Sequence, residues 1–149
     1  MSTATGTRKL VVCALGAEQY GLPIEQVREI VRYVAPRPVA SDVPWMRGVI
    51  SLRGRLVPVH DLGTRLGLVT SPAGVRSRSP EGETHIPPPN AKLVIVEGEA
   101  ELVGVLVDDV VEVLEVDEAQ LEAVPSGTGQ IARVGERLVL LLDGAELAA

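Results

Sequence analysis

Ser51, Arg53, His60 and Asp61 fall within one stretch, "GVISLRGRLVPVHDLGTRLG" (Gly48–Gly67). Serine, histidine and aspartate are the parts of a nucleophile, a general base and a group that orients the base. That reading needs His60 and Asp61 to act on one substrate. The run "RLVPVHD" has the β-branched character of a strand, and neighbours on a strand point to opposite faces. An adjacent His-Asp pair on a strand therefore serves a common substrate poorly. Asp61 is better placed as the N-cap of a short helix, "LGTRL", that ends at Gly67. Gly54 supplies a hairpin or bulge turn where φ can be positive. Arg53 is left as a docking or bridging group.

Other chemistry is poorly provided for. One cysteine, Cys13, lies in the apolar "KLVVCAL" and two histidines, His60 and His85, are far apart. That is too few clustered ligands for a metal. No cofactor motif is present. Only three aromatics occur, and nucleic-acid binding by stacking needs more. Net charge is −6 over 149 residues but unevenly spread. Residues 1–69 hold nine Lys/Arg against five Asp/Glu, whereas residues 92–149 hold three against thirteen. The acidic half repels phosphate backbones, and the asymmetry suggests different partners for the two halves. Neither a signal core nor an apolar run of about 20 residues is present, so a cytoplasmic chain without direct membrane insertion is expected.

The elements that must position these residues are short strands. "KLVVCAL", "QYGLPI", "REIVRYV", "GVISL" and "RLVPV" precede the Pro/Ser/Gly-rich stretch 70–91, and "KLVIVE", "ELVGVLV", "VVEVLEV", "QIARV" and "RLVLLL" follow it. "PIEQV" and "VDEAQLEAV" read as short helical turns. The stretch 70–91 has no periodicity and reads as a flexible loop or linker. The two sets also match each other. Lys9–Val31 lies on Lys92–Leu114 at an offset of 83, which places Glu29 on Glu112 and Ile30 on Val113. Arg55–Asp61 lies on Arg137–Asp143 at an offset of 82, which keeps the aspartate and replaces His60 by Leu142. A duplicated five-stranded unit follows, each copy expected to close into a small barrel that hides its edges. Loss of the histidine in the second copy argues further against catalysis.

Three blocks in order carry a family resemblance: "LGAEQYGLPIEQVREIVRY" (Leu15–Tyr33), "VPWMRGVISLRGRLVPVHDL" (Val43–Leu62) and "VGVLVDDVVEVLEVDEAQLE" (Val103–Glu122). In these blocks the sequence resembles the CheW family of bacterial chemotaxis coupling proteins, over about Leu10 to Leu147. The resemblance implies an all-β fold of two small five-stranded SH3-like β-barrels packed side by side, with short connecting helices. Residues 8–149 then form one CheW-like domain, with 8–69 as the first barrel and 92–149 as a trimmed second one. It implies no catalysis, and two partners: the regulatory domain of a CheA-like histidine kinase and the cytoplasmic tip of a chemoreceptor. The partner surface is expected at Val27, Glu29, Ile30, Trp45, Gly48, Val49, Ile50, Arg53 and Gly54. Glu29 and Arg53 are expected to pair as a carboxylate–guanidinium bridge. Trp45 suits either a binding hot spot or the base of the first barrel. The sequence departs from the family in several places. Ser51 replaces the usual Asn, Leu10 and Cys13 replace aromatics, and only "AVPSGTGQIARVGE" separates Glu122 from Arg137. The last departure suggests that the mirror of "WMRGVISLRG" is weakened, as in a divergent paralogue of a motility or developmental pathway that keeps one partner contact.

Overall fold

The computed structural model describes residues 6–66, 77–79, 82–84, 88–98, 101–124, 129–143 and 147. Before the 70–91 stretch the strands are β1 (Thr7–Leu15), β2 (Glu18–Pro23), β3 (Val27–Arg32), β4 (Met46–Leu52) and β5 (Arg55–Asp61). A one-turn helix α1 (Leu62–Arg65) follows β5. After the stretch come β8 (Lys92–Glu97), β9 (Leu102–Val107), β10 (Asp109–Asp117), β11 (Leu121–Ala123), β12 (Gln130–Val134) and β13 (Arg137–Leu141). The helical turn expected at "PIEQV" is a 3-10 turn at Ile24–Gln26, whereas "VDEAQLEAV" holds a 3-10 turn only at Glu118–Gln120, between the end of β10 and the strand β11. Inside the stretch expected as a loop, β6 (Ser77–Ser79) and β7 (Gly82–Thr84) form a hairpin that joins neither main sheet. His85 lies outside the described residues.

Two sheets carry the fold, in the orders β10-β1-β2-β13-β12-β11 and β3-β8-β9-β5-β4. The fold is all-β and made of two small barrels, as expected, but the barrels do not divide the chain at 70–91. Each sheet takes strands from both sides of that stretch. β3 pairs with β8 and β10 pairs with β1, and both ladders join the two halves. The parallel seams β5–β9 and β13–β2 do the same. A contiguous barrel at 8–69 and another at 92–149 are therefore replaced by a reciprocal exchange. Alternating burial marks which face of a strand is apolar, but carries no information about its ladder partner.

The duplication holds under this exchange. If β1, β2, β3, β4 and β5 are replaced by β8, β9, β10, β12 and β13, the first sheet becomes the second. The hairpin registers agree residue by residue. Val49 faces Pro58, Ile50 faces Val57 and Ser51 faces Leu56 in β4–β5. Ile131 faces Leu140, Ala132 faces Val139 and Arg133 faces Leu138 in β12–β13, each 82 residues on. The second barrel is thus not missing its mirror hairpin. β12 is shorter than β4, and β11 adds a sixth strand where the first copy has a single bridge between Arg37 and Val49.

Three apolar clusters hold the sheets. One barrel is filled by Ile50, Val57, Val59, Leu93, Ile95 and Leu106, and the other by Leu10, Val12, Val116, Ala132 and Val139. Between them lies a shared cluster that includes Val11, Cys13, Leu22, Leu62, Val94, Val105 and Leu147. Nearly all of these are aliphatic, which the scarcity of aromatics requires. Each fully buried Val or Leu contributes about 1.5–3 kcal/mol.

Candidate partner-docking site

The hairpin turn between β4 and β5 consists of Arg53 and Gly54, with φ of 52° and 80°. Positive φ at both central residues is the signature of a type I′ turn, whose twist suits a two-residue hairpin. Glycine takes this conformation freely, whereas for arginine it is uncommon. Arg53 therefore sits in the turn rather than at the end of β4. Its guanidinium donates to the carboxylate of Glu29 on β3. The expected bridge is present, and it ties the β4–β5 turn to β3, so that the two edge strands of this sheet are linked. The guanidinium holds the Glu29 carboxyl below the usual carboxylate range, chiefly through that hydrogen bond. The Arg53 side chain remains 72% exposed and that of Glu29 only 22%.

Around this clasp the expected surface residues divide. Ile30 is exposed, and Val27, Trp45 and Val49 are half-buried. Ile50 is a core residue. Gly48 is buried, and its role lies in the backbone. Arg37 crosses β4 there through two backbone hydrogen bonds with Val49, 2.8 and 2.9 Å. A Cβ on Gly48 would stand 2.2 Å from the Arg37 carbonyl oxygen, and its φ is 141°. Neither Ile50 nor Gly48 offers a side chain to a partner. The sequence reading missed Leu56, 72% exposed beside Ser51 on the outer face of the hairpin. The available signal was alternation, since Leu56 is out of phase with the buried Val57 and Val59.

Trp45 does not fill the base of a barrel. It is half-buried, with the Arg65 guanidinium 4.3 Å from its ring centroid, a cation–π arrangement. Its carbonyl accepts from the Asp61 amide at 2.8 Å. Asp61 is fully buried and caps α1, accepting from the amides of Gly63 and Thr64. It also accepts from Arg47, 2.9 Å from Nη2, and Arg47 bonds Thr64 in turn. The cap was legible in the sequence, but the Arg47 partnership was not. His60 meets the Leu147 carbonyl oxygen at 3.3 Å, and burial pushes its imidazole below the ordinary histidine value.

These placements dismantle the arrangement of Ser51, His60 and Asp61 as nucleophile, base and orienting group. Ser51 pairs with Leu56, while His60 pairs with Met46 at the far end of the hairpin. Four residues of strand, about 13 Å, separate the two levels. Asp61 is committed to Arg47 and the α1 amides. Cys13 is buried and its thiol is pushed up to about 12 by burial and then by Asp109, so it is no nucleophile at neutral pH. Among the described residues no group of three or more His, Cys, Asp and Glu could hold a metal ion.

The second barrel carries its own clasp. Glu112, the counterpart of Glu29, lies 2.8 Å from Arg137 on β13, and Arg137 also donates to Gln19 on β2. The offset places Arg137 on Arg55 rather than on Arg53, and Gly135 occupies the positive-φ turn position. Spacing thus revealed the carboxylate but not its partner. Exposed apolar residues repeat as well: Ile30 with Val113, and Leu56 with Leu138.

Comparison with known proteins agrees with this geometry. The model of the CheW-like domain family matches residues 9–149. The chain is 27% identical over 139 residues to the chemotaxis protein CheW of Rhizobium meliloti (strain 1021), covering 93% of this chain and 81% of that protein. It is 29% identical over 143 residues to the chemotaxis protein CheW of Bacillus subtilis (strain 168), covering 91% and 83%. Among solved structures it is similar to the scaffolding protein TtCheW from Thermoanaerobacter tengcongensis. That match has a TM-score of 0.74 and 29% identity over 91% of this chain and 88% of the other.

Proposed function

The chain belongs to the CheW-like domain family, and on that premise we propose that it couples a CheA-type histidine kinase to chemoreceptors in the cytoplasm. It works by binding alone, as a scaffold. The observation that carries the reading is the Glu29–Arg53 clasp. A strongly exposed guanidinium is held in a backbone conformation that arginine seldom adopts, at the tip of a rigid hairpin. Unusual backbone geometry of this kind is common at sites that must present a group in a fixed direction. Leu56 and Ile30 place apolar area on the same two elements. An exposed arginine with apolar neighbours has the composition of an interface hot spot. Both barrels keep the hairpin, the clasp glutamate and the exposed apolar pair. The second hairpin, though its first strand is shorter, keeps the register of the first, which speaks against a paralogue with a single partner.

The test is calorimetric titration of the purified chain with the regulatory domain of a CheA-type kinase and, separately, with a receptor signalling tip. Binding to both is expected. Arg53→Ala should weaken at least one of them tenfold or more with little change in melting temperature. Failure of the unaltered chain to bind either fragment, or a large melting loss with affinity intact, would overturn the reading.

A further inference from the structure

We propose that residues 6–66 and 88–147 are complementary modules, and that a second copy of this chain is a partner the barrel seams accept, by reciprocal exchange of those modules. Within residues 6–66 the only ladders are β1–β2 and β4–β5, and β3 pairs only with β8. Among the described residues of 88–147 the ladders are β8–β9, β11–β12 and β12–β13, and β10 pairs with β1 alone. Every core cluster contains residues from both modules. Neither module encloses a core of its own, and each supplies what the other lacks.

Charge favours the same pairing. The modules carry opposite net charge, and part of the excess is paired across the seams. Arg8 bridges Glu118 at 3.2 Å, Arg28 bridges Glu97, and Lys9 stands opposite Glu115 in the β1–β10 ladder. Two acidic modules would repel one another, so unlike modules are selected. The expectation of different external partners for the two halves is thus met in part by the halves themselves. The described part of the connecting segment, the β6–β7 hairpin, joins neither sheet. A chain that crosses to a neighbouring molecule therefore keeps every ladder of the two sheets. This is the condition for domain swapping, in which identical elements change places between protomers. The tether keeps the modules at a high effective concentration, so the monomer prevails in dilute solution and exchange grows with concentration.

The test uses full-length chains. Leu22→Asp damages the first module and Ile95→Asp the second, each at a fully buried site. Each variant refolded alone should lack native strand signal. Refolded together in equal amounts, they should give a dimer with about half the wild-type signal per chain, since each pair holds one intact module of each kind. Leu22→Asp mixed with Val59→Asp, both in the first module, should give none. A cross-module mixture that stays as unfolded as its components would overturn the proposal. In a second arm, wild-type chain refolded at rising concentration should yield a dimer that persists on dilution, because separation requires unfolding. Absence of dimer, or a dimer that dissociates at once on dilution, would also overturn it.

Discussion

Arg53 owes its position to two opposing effects. Its positive φ disfavours the native turn, while its bridge to Glu29 favours it. Arg53→Gly removes both at once. The surface bridge is screened by solvent and contributes little, whereas glycine relaxes the turn. The melting temperature is expected to hold or rise while partner affinity falls, as read by thermal denaturation beside calorimetry. A marked melting loss would mean that the clasp is chiefly a strut. His60 permits a second prediction. Its folded value is lowered, so below the ordinary value the unfolded chain takes up the proton more readily than the folded one. Its contribution to stability is therefore complete above about pH 6.5 and falls as pH drops from there toward the folded value. Besides burial, the Leu147 carbonyl on the ring and the charge of Glu101 act to raise the value, and the charge of Arg65 acts to lower it. Urea midpoints between pH 7.5 and 5.5 should fall in the native chain and flatten in His60→Gln. An equal slope in the variant would assign the effect elsewhere.

At the scale of elements, the crossing of Arg37 over β4 depends on the missing side chain of Gly48. A Cβ there meets backbone on a crossing fixed by two hydrogen bonds, and the φ is one that other residues rarely adopt. Gly48→Ala should cost about 3 kcal/mol, by the combined mechanisms of overpacking and backbone strain. Gly54→Ala meets open space and carries only the conformational penalty, so it should cost markedly less. Denaturant midpoints of the two variants decide whether the crossing or the turn is the tighter constraint. Local features of this kind were readable from the residues. The Asp61 cap, the turn glycine Gly54, the 3-10 turn at Ile24–Gln26 and the ten main strands follow from propensity, spacing and turn chemistry, whereas β6, β7 and β11 fall where a loop or a helical turn was expected. Distant pairings were not. "VVEVLEV" announces a strand, and nothing in it says that β1 is its neighbour. Arg47 carries no local mark of its bond to Asp61. The Glu29–Arg53 bridge was legible only through family resemblance, since 24 residues and an exchanged sheet stand between the partners.

The whole molecule behaves as one cooperative body if its central cluster is shared as the structure has it. Cys13 is a natural reporter of that property. It is fully buried in one cluster with Val94, Val105 and Leu147 of the other module, Val94 and Val105 belonging to the other sheet. With its thiol pushed up to about 12 by burial and then by Asp109, Cys13 stays protonated in the folded chain at pH 8. Labelling by a thiol reagent must then proceed through opening of the core. Opening around Cys13 breaks the β1–β2 and β1–β10 ladders together and exposes the cluster that the two sheets share. The labelling rate at high reagent concentration is therefore expected to equal the unfolding rate measured by circular dichroism, and to have the same denaturant dependence. Labelling that runs well ahead of unfolding, with a weak denaturant dependence, would show that the β1–β2 hairpin opens by itself. The shared cluster would then open locally at β1 and β2, while the β3–β8 and β5–β9 ladders still held the modules together.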